Sequence, residues 1–168
     1  SLVCRWRGGD LDRMLSVRHS RLHESVARSL ARDAPAWTAV PEVSFSIWGE
    51  RGIIDLFMWH PVRRAVLVIE LKTELVDANE LLGTMDRKCR LAWQVARDRG
   101  WEPESVSAWI LLAGSRTNER RVAEHKSMLR AGYPSSGRAI RSWMRNPVVP
   151  IAALSLWPQD ASIGPTVA

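Results

Sequence analysis

The sequence predicts an α/β domain, with a mixed central sheet flanked by helices and extra helices toward the C-terminus. Three observations carry this expectation. Leu11, Met14, Leu15, Leu22, Val26 and Leu30 recur at helical spacing. β-rich runs punctuated by turn residues follow them. The unbroken apolar run of residues 65–69, opening the segment 65–72, has the composition of a strand buried on both faces.

The elements follow in order. A first helix is expected over residues 10–33, stopped by Pro35. Residues 38–48 hold Val40, Val43, Phe45 and Ile47, alternate from Val43, and read as a strand. Gly49-Glu50-Arg51-Gly52 reads as a turn, residues 53–59 as a second strand, and His60-Pro61 as another turn. Residues 65–72 form the third, central strand. Asp77 with Glu80 three residues on resembles a capping box, opening a helix that runs to about Arg99 and stops at Gly100. Residues 106–113 are a fourth buried strand, and residues 117–131 a third helix ended by Gly132 and Pro134. A short helix over 138–145 and a strand over 151–156 close the domain. One domain is expected over residues 1–158, with a tail over 159–168.

Composition bounds the function classes. A chain of 168 residues, 46% apolar and 25% charged, suits one globular domain and excludes a disordered chain, a collagen or a coiled-coil rod. Apolar stretches such as residues 65–69 fall far short of the ~20 residues that span a bilayer, so no membrane partner is expected. Two cysteines, Cys4 and Cys89, are too few for a disulfide framework. With no secretory pattern visible, a reducing cytoplasmic setting is expected. The start at Ser1 suggests a domain cut from a longer chain.

The formal net charge is +6. Lysine occurs only at Lys72, Lys88 and Lys126, so nearly all positive charge is arginine. From Arg116 to Arg145 eight positive residues face only Glu119 and Glu124. Clustered arginine suits phosphate, because the guanidinium fork matches phosphate oxygens. The plainer alternative is a solvated arginine-rich face.

Ionised residues are rare inside buried strands unless paired or bound to metal. Asp55 nonetheless sits within Ile53-Ile54-Asp55-Leu56-Phe57, and Glu70 and Lys72 close the third strand. Two apart on a strand, Glu70 and Lys72 project to one side. Asp55 lies beside Glu70 if the hairpin register permits. Two carboxylates in one pocket repel and call for a cation, and hard oxygen ligands select Mg²⁺ or Mn²⁺. The Leu71 carbonyl offers a further metal ligand, and a lysine beside the metal orients water. With ten Glu and three Lys in the chain, chance yields a Glu-x-Lys roughly 0.2 times. The structural alternative is a Glu70–Lys72 surface pair, with Asp55 bonded to a turn.

The α-β-β-β-α-β order with Gly52-Ile53-Ile54-Asp55 and Glu70-Leu71-Lys72 resembles the PD-(D/E)xK nuclease superfamily, over roughly residues 10–115. Further stretches resemble the nuclease-like domain that follows an Xre-type helix-turn-helix in bacterial regulators. These are Glu42-Val43-Ser44-Phe45, Gly49-Glu50-Arg51-Gly52, Asp86-Arg87-Lys88-Cys89-Arg90-Leu91-Ala92, and Asn118-Glu119-Arg120-Arg121-Val122 with His125. The resemblance implies a restriction-endonuclease-like core and divalent-metal hydrolysis of a DNA phosphodiester. It makes Asp55 and Glu70 metal ligands and Lys72 the helper of the attacking water. It adds Glu24 as the acidic residue of the first helix. It also implies an upstream helix-turn-helix module as partner. Where members carry proline before the first Asp, this chain has Ile54.

Arg87, Lys88 and Arg90 lie within a turn on the second helix, where the superfamily often contacts phosphate; a solvated face is the alternative. Arg120, Arg121, Arg141 and Arg145 belong to the basic segment and extend this nucleic-acid set. Arg141-Ser142-Trp143-Met144-Arg145 suits stacking on a base, or equally seats Trp143 on the core. Trp93, Trp109 and Trp157 fall in apolar runs and read as core. His19 and His23, four apart, have zinc spacing without further ligands and read as packing or hydrogen-bonding residues. His125 lies in the basic helix, as a phosphate contact or a structural residue. No phosphate-binding glycine loop or nucleophile elbow is present. The expectation is a Mg²⁺- or Mn²⁺-dependent deoxyribonuclease. The alternatives are a catalytically silent DNA-binding or effector module and a homodimerisation module pairing through its Trp-rich face.

Overall fold

The computed structural model describes residues 2–159, with side chains described from Leu11 onward. The element order is α1 (Leu2–Asp33), β1 (Thr38–Ile47), β2 (Glu50–His60), β3 (Ala65–Lys72), α2 (Ala78–Asp98), β4 (Ser105–Ala113), α3 (Arg116–Glu124), α4 (Lys126–Gly132), α5 (Gly137–Trp143) and β5 (Ala152–Trp157). Of the tail expected over 159–168, residues 160–168 lie outside the described residues.

The protein is α/β, with a five-stranded mixed sheet in the order β1-β2-β3-β4-β5. β1, β2 and β3 pair antiparallel, and β3, β4 and β5 pair parallel. A parallel pair needs a crossover, which α2 supplies between β3 and β4. β3 is the middle strand and is buried from Ala65 to Leu71. Its apolar run therefore faces a core on each side of the sheet. On one side Val66 and Val68 pack with α2 through Leu81, Met85, Ala92 and Val95. On the other, Leu67, Ile69 and Leu71 pack with Leu22, Val26 and Leu30 of α1 and Ile140 of α5.

Local chemistry explains the element ends. Asp77 caps α2 by accepting from Glu80 N at 3.0 Å. Gly100, at φ 81°, occupies the left-handed conformation just past the helix. The β1–β2 turn is Trp48-Gly49, both at positive φ, because Ile47 pairs with Glu50. Glu50, Arg51 and Gly52 thus belong to β2 rather than to the turn. Gly52 lies in the strand because the Phe45 ring stands 2.6 Å from where a Cβ would be. The helix expected over 117–131 is two helices broken at His125, and α1 begins well before residue 10. Leu11, Met14, Leu15 and Val17 are exposed, and among the described side chains the apolar packing of α1 on the sheet begins at Leu22. Among the described residues, no helix is long and apolar enough to cross a membrane.

Candidate active site

The β2–β3 ladder pairs Leu56 with Ile69 and stops there. One step further, Asp55 would face Glu70. Asp55 also has no partner in the β1–β2 ladder, where Glu42 adopts φ 50°. Ile54 and Phe57, three apart, then pack in the same core, so the alternation of β2 slips here. The Asp55 side chain takes over from the lost ladder: its Oδ2 accepts from Leu71 N at 2.8 Å. The N–H and C=O of one strand residue point the same way, so the Leu71 carbonyl faces the same gap.

Glu70 and Lys72 project to the α2 side of β3, as their spacing requires. Glu70 is buried, and its Oε2 accepts from Lys88 Nζ of α2 at 2.6 Å. Lys72 is half exposed, with Nζ 3.9 Å from Glu70 Oε1. Burial raises the Glu70 carboxyl above the ordinary carboxylate range, and the negative charge of Asp55 pushes in the same direction. Lys88 and Lys72 oppose that rise without cancelling it. Asp55 and Glu70 thus feel each other electrostatically, as two acids sharing a site do.

From the far side, α1 approaches Asp55. His23 Nε2 donates to the Asp55 carbonyl at 2.8 Å, and His19 Nε2 lies 3.8 Å from Asp55 Oδ1. Their spacing of four serves β2 rather than zinc. Among the described residues, no group of three or more His, Cys, Asp or Glu converges as a metal cage. Two carboxylates do suit Mg²⁺ or Mn²⁺, since Mg²⁺ retains waters and is usually held by one or two carboxylates plus substrate phosphate. Among the described residues, Asp55 Oδ1 and Glu70 Oε1 accept no hydrogen bond.

The other sequence-predicted residues are dispersed. Glu24 is exposed, accepts from Arg28 at 3.2 Å, and has no hydrogen bond or ion pair to Asp55 or Glu70. Lys88 is a core residue at Glu70, not a solvated phosphate contact. Arg90 is clamped by Glu50 through two bonds of 3.0 and 2.7 Å, which holds the Glu50 carboxyl below its ordinary range. Arg87 has a buried Nε without a partner. Arg121 bonds Glu74 and the Leu75 carbonyl, and Arg120 pairs with Glu124 at 3.7 Å. Arg141 and Arg145 line one cavity beside β5. Trp143 donates to the Val149 carbonyl and packs on Trp37, so the alternative that seats it on the core holds. Trp109 and Trp157 are buried, whereas Trp93 is half-buried.

Sequence reasoning missed the role of Lys88, whereas His23 is the hydrogen-bonding residue that its spacing with His19 suggested. Lys88 carried a signal, because it stands on the apolar stripe of Leu81, Met85, Ala92 and Val95. A lysine at a core position needs a buried partner. No protein-family model, curated protein or solved structure matches this chain.

Proposed function

We propose that the chain hydrolyses DNA phosphodiesters with a divalent cation, Mg²⁺ or Mn²⁺, held by Asp55, Glu70 and the Leu71 carbonyl. One observation carries this reading. The sheet opens at Asp55, whose carboxylate closes the gap on Leu71 N and acts by its charge on the buried Glu70, which the half-exposed Lys72 adjoins. Bound there, such a cation would supply charge to polarise a phosphate and lower the pKa of a water. Asp55 and Glu70 supply the negative charge that holds it. Leu71 N fixes the Asp55 carboxylate, so little reorganisation is needed when ligand arrives. Lys72, reaching from the buried acid toward solvent, orients the attacking water and offsets charge developing on phosphate. The strand order and the pattern of antiparallel and parallel pairs support a restriction-endonuclease-like arrangement. The resemblance to nuclease-like domains of Xre-type regulators supports a partnership with a DNA-binding module and a cytoplasmic setting.

A second reading, a DNA-binding module without cleavage, is favoured by the 2.6 Å Lys88–Glu70 pair, which already neutralises one acid. Cleavage of supercoiled, linear and single-stranded DNA in Mg²⁺, Mn²⁺ or EDTA separates the two. Metal-dependent cleavage that disappears in Asp55→Ala and Lys72→Ala is the expected result. Intact DNA with the wild-type protein in every metal would overturn hydrolysis in favour of the second reading.

A further inference from the structure

Arg18, Arg21, Arg28 and Arg32 are exposed and, with Ser25, fall within an arc of about 80° on α1. That stripe borders the buried Leu22, Val26 and Leu30 on the side away from His19 and His23. It forms one wall of a trough whose other wall is α5. Three adjoining cavities make up the trough, of about 410, 260 and 620 Å³. Trp157 and Pro158 line all three. Ser25 and Arg28 join the first to the second, and Arg141 joins the second to the third. Arg138 of α5, and Arg145 just beyond its end, complete that wall. The first cavity reaches Thr73 and Ala113, at the C-terminal ends of parallel β3 and β4. Ligands of open α/β sheets gather at that edge, and Thr73 directly follows Lys72.

The charge of the trough is one-sided. Among the described residues, two carboxylates oppose these seven arginines: Glu24 accepts from Arg28, and Asp33 lies 3.0 Å from Arg32 and 3.6 Å from Arg141. Arg18, Arg21, Arg138 and Arg145 have no ion pair among the described residues. The floor is not a stacking platform. The Arg141 guanidinium covers the Trp157 ring at 4.9 Å, and the indole N–H donates to Ser25. Recognition here is therefore by charge along a line, not by base contact. From Arg18 to Arg32 the helix advances about 21 Å. A nucleic-acid strand places about six phosphates in that length, at ~3.4 Å each.

We propose that this trough binds the phosphodiester backbone of DNA, with the α1 stripe and the α5 arginines as its two walls. The inference rests on the DNA-directed reading above. It moves the interface away from α2 and α3, where Lys88, Arg90 and Arg121 are already committed to acidic partners.

The test is fluorescence anisotropy of the protein with a labelled duplex and with its single strand, in EDTA, at about 50 and 200 mM KCl. Arg18→Gln/Arg21→Gln and Arg138→Gln/Arg145→Gln alter opposite walls at exposed positions. Arg51→Gln/Arg63→Gln removes the same charge elsewhere, and matched melting curves confirm folding. Each trough variant should weaken binding about tenfold and lower the log–log salt slope by about two, one per arginine. The elsewhere variant should stay within about twofold. The duplex and single-strand arms show which form supplies the phosphates. Trough variants within twofold of wild type, or a wild type that binds neither DNA, would overturn the proposal. The same proteins assayed for Mn²⁺-dependent cleavage keep the two proposals apart. Salt-sensitive trough binding without cleavage sinks hydrolysis alone. Cleavage with trough binding unchanged by the substitutions sinks the trough alone.

Discussion

At the residue scale, the Glu70–Lys88 pair dominates. Both side chains are almost fully enclosed, so removing one strands the other in a poor dielectric. Lys88→Met is expected to destabilise the protein by about 3–5 kcal/mol, the usual cost of breaking a buried pair. Glu70→Leu/Lys88→Met should recover most of it, read by urea denaturation. A double variant as unstable as the single would show that the pair is not the origin of the loss. Glu70 also sets a pH dependence. Its native carboxyl is raised, so the folded state holds that proton more tightly than the unfolded chain. Its contribution to stability is complete below the unfolded carboxylate value, about 4.3. It is lost as pH rises through the raised native value. The stability difference between wild type and Glu70→Gln should therefore fall as pH increases from about 4.3. A flat or rising difference would contradict the assigned direction. Cys89 is a half-buried thiol pushed up to about 12, chiefly by desolvation, so alkylation of the folded protein at neutral pH should be slow there.

At the element scale, the connections matter more than the helices. Asn118 of α3 is fully buried and bonds Leu75 N at 2.9 Å, the Thr73 carbonyl at 3.1 Å and the Ala113 carbonyl at 2.7 Å. It ties the segment after β3 to the end of β4, next to the candidate site. Asn118→Ala leaves several buried backbone groups unpaired and should cost at least about 2 kcal/mol. Thermal melting checks this, and a shift of under one degree would contradict it. Gly114 marks another close approach: a Cβ there would stand 2.8 Å from the Trp157 carbonyl, which Gly114 N already binds at 2.7 Å. Gly114→Ala must push β5 and should cost about 1–3 kcal/mol. Gly132→Ala meets open space and should be neutral or slightly stabilising. Equal losses in the two variants would show that crowding is not the cause. The β-strands and α2 were legible because alternation, apolar runs and caps are local. The break at His125 was not, since neither proline nor glycine marks it.

At the scale of the whole molecule, stability concentrates in the middle of the sheet. β3 and β4 are covered on both faces, whereas the first half of α1 exposes Leu11, Met14, Leu15 and Val17. Hydrogen exchange should find the slowest amides in β3 and β4 and the fastest helical ones before Leu22 of α1. Uniform protection along α1 would contradict this. The motif stretches behind the family resemblance meet again here as ties between distant elements. Glu50 of β2 clamps Arg90 of α2, and Asn118 and Arg121 of α3 hold the loop after β3. The residues that carry the resemblance thus brace the sheet around its acidic strands.

The sequence by itself determined the α/β class, the order of strands and helices, the central position of β3, and the presence of carboxylates in apolar strands. Those features follow from hydrogen-bond geometry repeating every two or 3.6 residues, which any short window displays. Only the tertiary structure decided what neutralises those carboxylates and which arginines stand together. The slip at Glu42 and Asp55 changes which residues share a face, and period-two reasoning has no term for it. Lys88 reaches Glu70 across 18 positions, and Arg141 reaches Trp157 beside α1. Such meetings are set by strand register and by how helices pack across the sheet, and no local period encodes them.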